Sequence, residues 1–368
     1  IRDLIVSRGL GDVYKRLACN TGETGMSLTL TKEEISRYRK DGLLFPKTIM
    51  TPSKASEYLA LLENYEAATG GPVKDQFRYK CHLVFPWINE LMRNDGILDM
   101  VEDLIGPDIM VWTSHLYPKE PGDQKFISWH QDSAHWGLET DNILTVWIAL
   151  TPVTRANGCM QMLPGSQTTG TVAHHDTWGE KNMLTRGQTI SEKINEEKAV
   201  WVEMEPGQAS IHHLFMWHAS PANVTENRRV ALALRYITPK AKQTRTDRDF
   251  ATLVRGRDDY KNFEYEPIPT STMAPEALRI PKEIADILIL KEESEYISIE
   301  AIEGEYINDG DIPFFEIADS TDFLVMKPNS EKPDAIYDIT GEIVEESFEK
   351  FIWRLYYESP TFYIDNIE

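Results

Sequence analysis

Between residues 109 and 237 the chain runs through seven short strand-like segments with no regular helix alternating between them: "IMVWTSHLY", "KFISWHQD", "LTVWIALTPV", "CMQMLPGS", "AVWVEM", "ASIHHLFMWH" and "RRVALALRYI". β-Branched and aromatic residues fill these runs, and Pro-Gly turn signals at 121, 164 and 206 punctuate them. A doubly wound parallel sheet needs a helix after each strand and a glycine-rich loop for phosphate, and the chain has no Gly-x-Gly-x-x-Gly. The pattern predicts a mainly β fold, a β-sandwich or jelly-roll barrel, with helices packed outside it. Those helices precede the strands, in segments such as "SKASEYLALLENYEAA". The Thr31-x-x-Glu34 capping signal opens the first.

A break in charge divides the chain. From Pro281 to the end there are 23 acidic and 6 basic residues, so this tail carries −17 of the total net charge of −21. Such acidity argues against a nucleic-acid or anionic-membrane partner for the whole chain. The longest apolar runs, such as "VWIAL", are far too short for a membrane span of about 20 residues. Three scattered cysteines, Cys19, Cys81 and Cys159, form neither a disulfide framework nor a thiolate metal site, which fits a reducing cytoplasm. Residues 1–25 lack periodicity and read as an extension outside the domain, with Met26 the expected start. The expected units are a barrel domain over 26–280 and a small α+β module over 281–368. The module has strand-like runs "DIPFFEIA", "DFLVM" and "AIYDI" and the helical spacing of "SFEKFIWRLYY".

All nine histidines fall between His82 and His218, so histidine chemistry belongs to the barrel. In "WHQDSAH" His130 and Asp132 stand two apart, on one face if the segment is a strand. Alone, His-x-Asp is a weak signal. Trp129 and Trp136 flank it as an apolar setting would require, and His218 in "MWHAS" closes a later strand-like run. Two histidines and a carboxylate are the ligand set of non-haem iron(II) oxygenases, which leaves positions open for reactants. Arg229, eleven residues past His218, suits a fixed guanidinium for a dicarboxylate, while strand alternation sends Arg228 the other way. His135, His174, His175, His212 and His213 read as structural or supporting. Of these, His213 competes most directly with His218, because the same run holds both.

The segments "LTKEEISRYRKDGLLF", "WHQDSAHWGL", "TVWIAL", "NGCMQMLPGSQ", "RGQ", "HASPANVTENRRVALALRY" and "LVRGRDDYKNF" resemble the phytanoyl-CoA dioxygenase family, in that family's order and spacing over residues 28–262. The resemblance implies a double-stranded β-helix, the jelly-roll or cupin-like barrel, and iron(II)- and 2-oxoglutarate-dependent hydroxylation of a small molecule by O2, releasing succinate and CO2. It implies iron ligation by His130, Asp132 and His218, with Arg229 on the distal carboxylate of 2-oxoglutarate, Ser220 adding a hydrogen bond and Trp147 bordering the cosubstrate. Lys80 and Tyr117 match positions of further cosubstrate or substrate contacts. Related halogenases lack the carboxylate, so Asp132 points to hydroxylation rather than chlorination. The tail resembles the later half of an SMI1/KNR4-type domain, a family associated with protein binding and toxin immunity. That sets up the rival reading: an inactive barrel whose acidic tail engages a protein partner.

Overall fold

The computed structural model describes residues 29–280, except 141, 176, 178–180 and 185–186, and the backbone of four strands between 312 and 345. Helix α1 (Lys32–Asp41) opens as its capping box requires: the Thr31 hydroxyl accepts the Glu34 N–H and the Glu34 carboxylate accepts the Thr31 N–H. It ends at Gly42 (φ 70°), where a side chain would collide with Gln167 and Met216 of the barrel. After β1 (Leu43–Thr48) come α2 (Pro52–Thr69), the short turns α3 (Asp75–Arg78), α4 (Cys81–Val84) and α5 (Pro86–Leu91), and α6 (Asp95–Ile105).

The strands follow, as expected. They are β2 (Ile109–Leu116), β3 (Ile127–His130), β4 (Ile143–Ala149), β5 (Met160–Met162), β6 (His174–His175), β7 (Thr189–Ile190), β8 (Val200–Val202), β9 (Gln208–His213), β10 (His218–Ser220), β11 (Ala231–Ile237), β12 (Phe250–Arg255) and β13 (Glu264–Tyr265). A one-turn helix, α7 (Ser133–Trp136), separates β3 from β4. A seven-stranded sheet, β1-β9-β4-β11-β2-β12-β13, and a four-stranded sheet, β3-β10-β5-β8, build the double-stranded β-helix. Among the described residues no helix is long and apolar enough to cross a membrane.

Period-two alternation assigns each face of the large sheet. Val146, Ile211, Leu232 and Leu234 turn outward and pack with helix residues such as Leu62, Ile88 and Met100. Trp147, Ala231 and Ala233 turn inward, against Met160, Met162 and Val202 of the small sheet. Register extends the inner face: Arg235 pairs with Thr145, which pairs with His212. "ASIHHLFMWH", expected as one strand, is two. It crosses between the sheets at residues 214–217, and so His213 and His218 belong to different sheets.

Lys80 lies elsewhere than the resemblance implied. It is fully buried, and its ammonium donates to the carbonyls of Trp112 and Phe250 and to the Glu266 carboxylate at 2.5 Å. The other Glu266 oxygen meets His82 Nε2 at 2.9 Å and accepts from Thr252, while His82 Nδ1 meets Ser114, a residue on the outward face of β2. Burial alone would raise the Glu266 carboxyl, but Lys80 and His82 outweigh it and hold it at about 2. Lys80 therefore ties the helical layer to the strand end at Glu266. Glu266→Ala strands a buried ammonium, and urea denaturation is expected to show a loss of about 3–5 kcal/mol.

In the tail, β14 (Ile312–Glu316), β15 (Phe323–Met326), β16 (Ile336–Tyr337) and β17 (Ile343–Glu345) form one antiparallel sheet in chain order. The first three coincide with the strand-like runs; the fourth, in "GEIVEE", gave no alternation to read. "SFEKFIWRLYY" and residues 1–25 lie outside the described residues.

Candidate functional site

β3 ends at His130, and Asp132 follows it as the residue capping α7, with helical backbone angles of −58° and −34°. The pair thus converges through a strand end and a turn, not along one strand face. His218 opens β10 directly opposite His130 in the antiparallel register, and their rings stand 4.1 Å apart. One ligand atom from each of His130, Asp132 and His218 falls within 4.8 Å of the others, and all three residues are buried. Asp132 Oδ1 lies 3.7 Å from His130 Nε2 and 4.0 Å from His218 Nε2.

The orientation of both rings is fixed from behind. His130 Nδ1 meets the Ser128 carbonyl at 2.9 Å and His218 Nδ1 meets the Met216 carbonyl at 3.0 Å. A carbonyl can only accept, so each Nδ1 is the donor and each Nε2 is directed toward Asp132, where its lone pair can be given to a metal. Burial, with His130 nearby, pushes His218 well below its ordinary range, so it is neutral at neutral pH. Burial opposes the charge on Asp132, but His130 and Arg235 outweigh it and hold the carboxyl well below the usual carboxylate range. Nitrogen, nitrogen and carboxylate oxygen in this state suit iron(II).

His212 borders the centre, its Nε2 4.0 Å from Asp132 Oδ2, and burial pushes it down to about 4. His213, the rival ligand, turns away: its Nδ1 accepts the Phe215 N–H and its ring packs near Tyr38. His174 Nε2 accepts the Gln131 N–H, fixing the residue between the two ligands of the turn. His175 is exposed on β6, bonded to Ser191. Trp129 lines an open outer groove with Ile127 and Gln161, so of the two flanking tryptophans only Trp136 faces inward, packing against Trp112 at 5.2 Å. The side chain of His135 lies outside the described set.

Arg229, Ser220 and Trp147 lie together around the Gly158 carbonyl and the Arg229 guanidinium. The Arg229 guanidinium lies 5.3 Å over the Trp147 ring, donates to the carbonyls of Gly158 and Tyr117, and leaves its buried Nε with no partner. Ser220 Oγ donates to the same Gly158 carbonyl at 2.8 Å. Gly158 (φ 82°) is required there, since a Cβ would come within 2.4 Å of the Pro221 carbonyl.

Lys119 is a residue the sequence did not reveal. It is fully buried and donates to the Ser220 hydroxyl at 2.8 Å and to the carbonyls of Ser220 and Pro221. Burial, with Arg229 beside it, pushes its ammonium down to about 7. Two buried cations with no carboxylate on either make a receptor for an anion. Nothing in "YPKEPG" marks this lysine, because only the bridge pairing Lys119 with Arg229 brings it here.

A profile of the phytanoyl-CoA dioxygenase (PhyH) family matches residues 38–231. The chain is 31% identical over 158 residues to "Probable phytanoyl-CoA dioxygenase" of Caenorhabditis elegans, covering 41% of this chain and 51% of that protein. It is 28% identical over 173 residues to "Probable alpha-ketoglutarate-dependent hypophosphite dioxygenase" of Stutzerimonas stutzeri, covering 44% and 56%. The chain spans about half the length of these curated relatives. The solved structure of the non-heme monooxygenase ThoJ superposes with a TM-score of 0.62 at 34% identity, over 70% of this chain and 96% of that one. Profile, fold and the buried His-Asp-His set agree, and the chain belongs to the phytanoyl-CoA dioxygenase family.

Proposed function

We propose that the protein is an iron(II)- and 2-oxoglutarate-dependent dioxygenase that hydroxylates a small molecule. The observation carrying this reading is the convergence of His130, Asp132 and His218, with both histidines locked in the metal-binding tautomer. Iron(II) with 2-oxoglutarate and O2 supplies the oxidising power, and the cosubstrate leaves as succinate and CO2. The chain's own part is placement. The three ligands leave coordination positions open to the reactants, and Arg229, Ser220 and Trp147 receive the distal carboxylate. Burial keeps water from the centre. No side chain needs to act as acid or base. The carboxylate at 132 supports hydroxylation over chlorination. The test is succinate formation from 2-oxoglutarate by anaerobically iron-loaded protein exposed to O2; no succinate from protein that holds iron and binds 2-oxoglutarate would refute it.

Lys119 adds a pH dependence. Near pH 7 and above, much of its ammonium is neutral, and an arriving dicarboxylate favours the charged form. Binding of 2-oxoglutarate should therefore take up a proton, and affinity should fall as pH rises above 7. Lys119→Met is expected to weaken 2-oxoglutarate binding to nickel-loaded protein by about tenfold and to abolish the proton uptake. Calorimetry in buffers of different ionisation enthalpy measures both.

A further inference from the structure

Arg235 is the one arginine of the inner face that the family site leaves without work. It lies in β11, six residues beyond Arg229, which precedes the strand, so the two backbone positions stand about 20 Å apart if the chain between them is extended. Its register partner Thr145 places Oγ1 3.5 Å from Asp132, a marginal hydrogen bond that nonetheless locates Arg235 on the metal side of the sheet. Arg235 is 7% exposed, yet its guanidinium makes a single hydrogen bond, from Nη2 to the Tyr117 hydroxyl at 3.0 Å. The buried Nε has no partner, and no carboxylate of a described residue lies within ion-pair distance. The contrast with the more exposed arginines is sharp: Arg228 engages Glu66 and Glu120, and Arg255 engages Asp95, Asp99 and Glu102. An arginine does not shed its charge, and unmet donors in a buried guanidinium are costly.

The surroundings are aromatic and neutral. Trp136 lies 4.8 Å beneath the guanidinium, and Tyr117 stacks on His115 with ring centres 4.3 Å apart. Burial, reinforced by Arg235 itself, pushes His115 down to about 3, so it brings no charge. Asp132 attracts Arg235 from beyond ion-pair distance, and in the proposed function that carboxylate is committed to the metal. Apolar walls with a few convergent donors are the pattern of a small-molecule pocket.

We propose that Arg235 and the Tyr117 hydroxyl receive a carboxylate on the substrate, so that the enzyme acts on an organic acid whose body lies against the Trp136 and His115–Tyr117 wall. The inference rests on the oxygenase reading and names the substrate class for it. Among the described residues no second cation pairs with this guanidinium, which matches a monoanion; a phosphate ester would call for more positive charge. Arg229, just before β11, then serves the cosubstrate, and Arg235, within it, the substrate.

The experiment uses the full chain loaded with nickel and 2-oxoglutarate. Phenylacetate, indole-3-acetate and cyclohexanecarboxylate are titrated against their primary amides and against phenyl phosphate, by calorimetry and tryptophan fluorescence. The acids are expected to bind at least about tenfold tighter than the amides. In protein saturated with nickel and 2-oxoglutarate, Arg235→Met should collapse that ratio to near one, and Tyr117→Phe, which keeps the ring, should lose it in part. A ratio near one in the parent protein, preference for the phosphate ester, or no binding of any acid would overturn the proposal. So would Arg235→Met and Arg235→Lys both losing nickel or 2-oxoglutarate, which would make Arg235 a support for Asp132. Failure of the parent protein to take up nickel and 2-oxoglutarate would instead sink the oxygenase reading before any acid is added.

Discussion

Replacing Asp132 by alanine is expected to abolish iron-dependent succinate formation and to weaken nickel binding by more than about 100-fold, since even groups that only orient a metal ligand are worth about 10–100-fold. The carboxylate is the sole anion among the three ligands, so its loss leaves two neutral imidazoles to hold a dication. It also faces His212 and attracts Arg235, so alanine removes the negative charge around which these groups are arranged. Asp132→Asn keeps the shape and deletes only the charge, separating lost ligation from lost packing. Both variants should lose the metal, measured by metal content and by calorimetric titration, with thermal unfolding confirming that the asparagine protein is folded. Nickel affinity within a few-fold of the parent would remove Asp132 from the ligand set. Because His218 is already neutral at neutral pH, it has no proton to shed there when metal binds, and its competition with protons is confined to acid solution.

How much of this was legible in the sequence depended on whether the signal was local. The capping box at Thr31 and Glu34 lies within one turn, and it reads the same in sequence and structure. The strand runs were equally plain, because period and composition are written along the chain. The set His130, Asp132 and His218 is legible from the family resemblance together with the His-x-Asp pair, whereas strand alternation alone does not account for it: Asp132 reaches the centre from a turn beyond β3. The split of "ASIHHLFMWH" was hidden because residues 214–217 are as apolar as the strands they separate, so nothing in composition marks a crossing between sheets. Lys80 fits the family's pattern in sequence, but its partner Glu266 is 186 residues away, and pairing over that distance is invisible without the fold. Lys119 and Arg235 were missed for the same reason. An isolated basic residue on a strand or loop reads as solvated surface until the register shows that it is buried.

Arg229→Met is expected to leave nickel binding intact and to weaken 2-oxoglutarate binding by about 30-fold or more, since truncating one partner of a buried charged pair costs about 2–5 kcal/mol. The buried guanidinium is already placed for a ligand: Trp147 lies against its face, and the carbonyls of Gly158 and Tyr117 fix its plane. Lysine at 229 should not restore affinity. Its ammonium lacks the planar fork that reaches both carbonyls and still presents an edge to a carboxylate, and it would sit as a second compact charge beside Lys119. Stability should respond in the opposite sense to affinity. Burial pushes Arg229 itself down to about 10, and its charge helps to depress Lys119, so without the cosubstrate the two cations burden the fold. Methionine relieves that repulsion while Ser220 still donates to the Gly158 carbonyl, and the variant's thermal midpoint should match or exceed that of the parent protein. Unchanged 2-oxoglutarate affinity would show that the carboxylate binds elsewhere. Lost affinity in a protein at least as stable as its parent would identify a residue kept for its ligand at the expense of the fold.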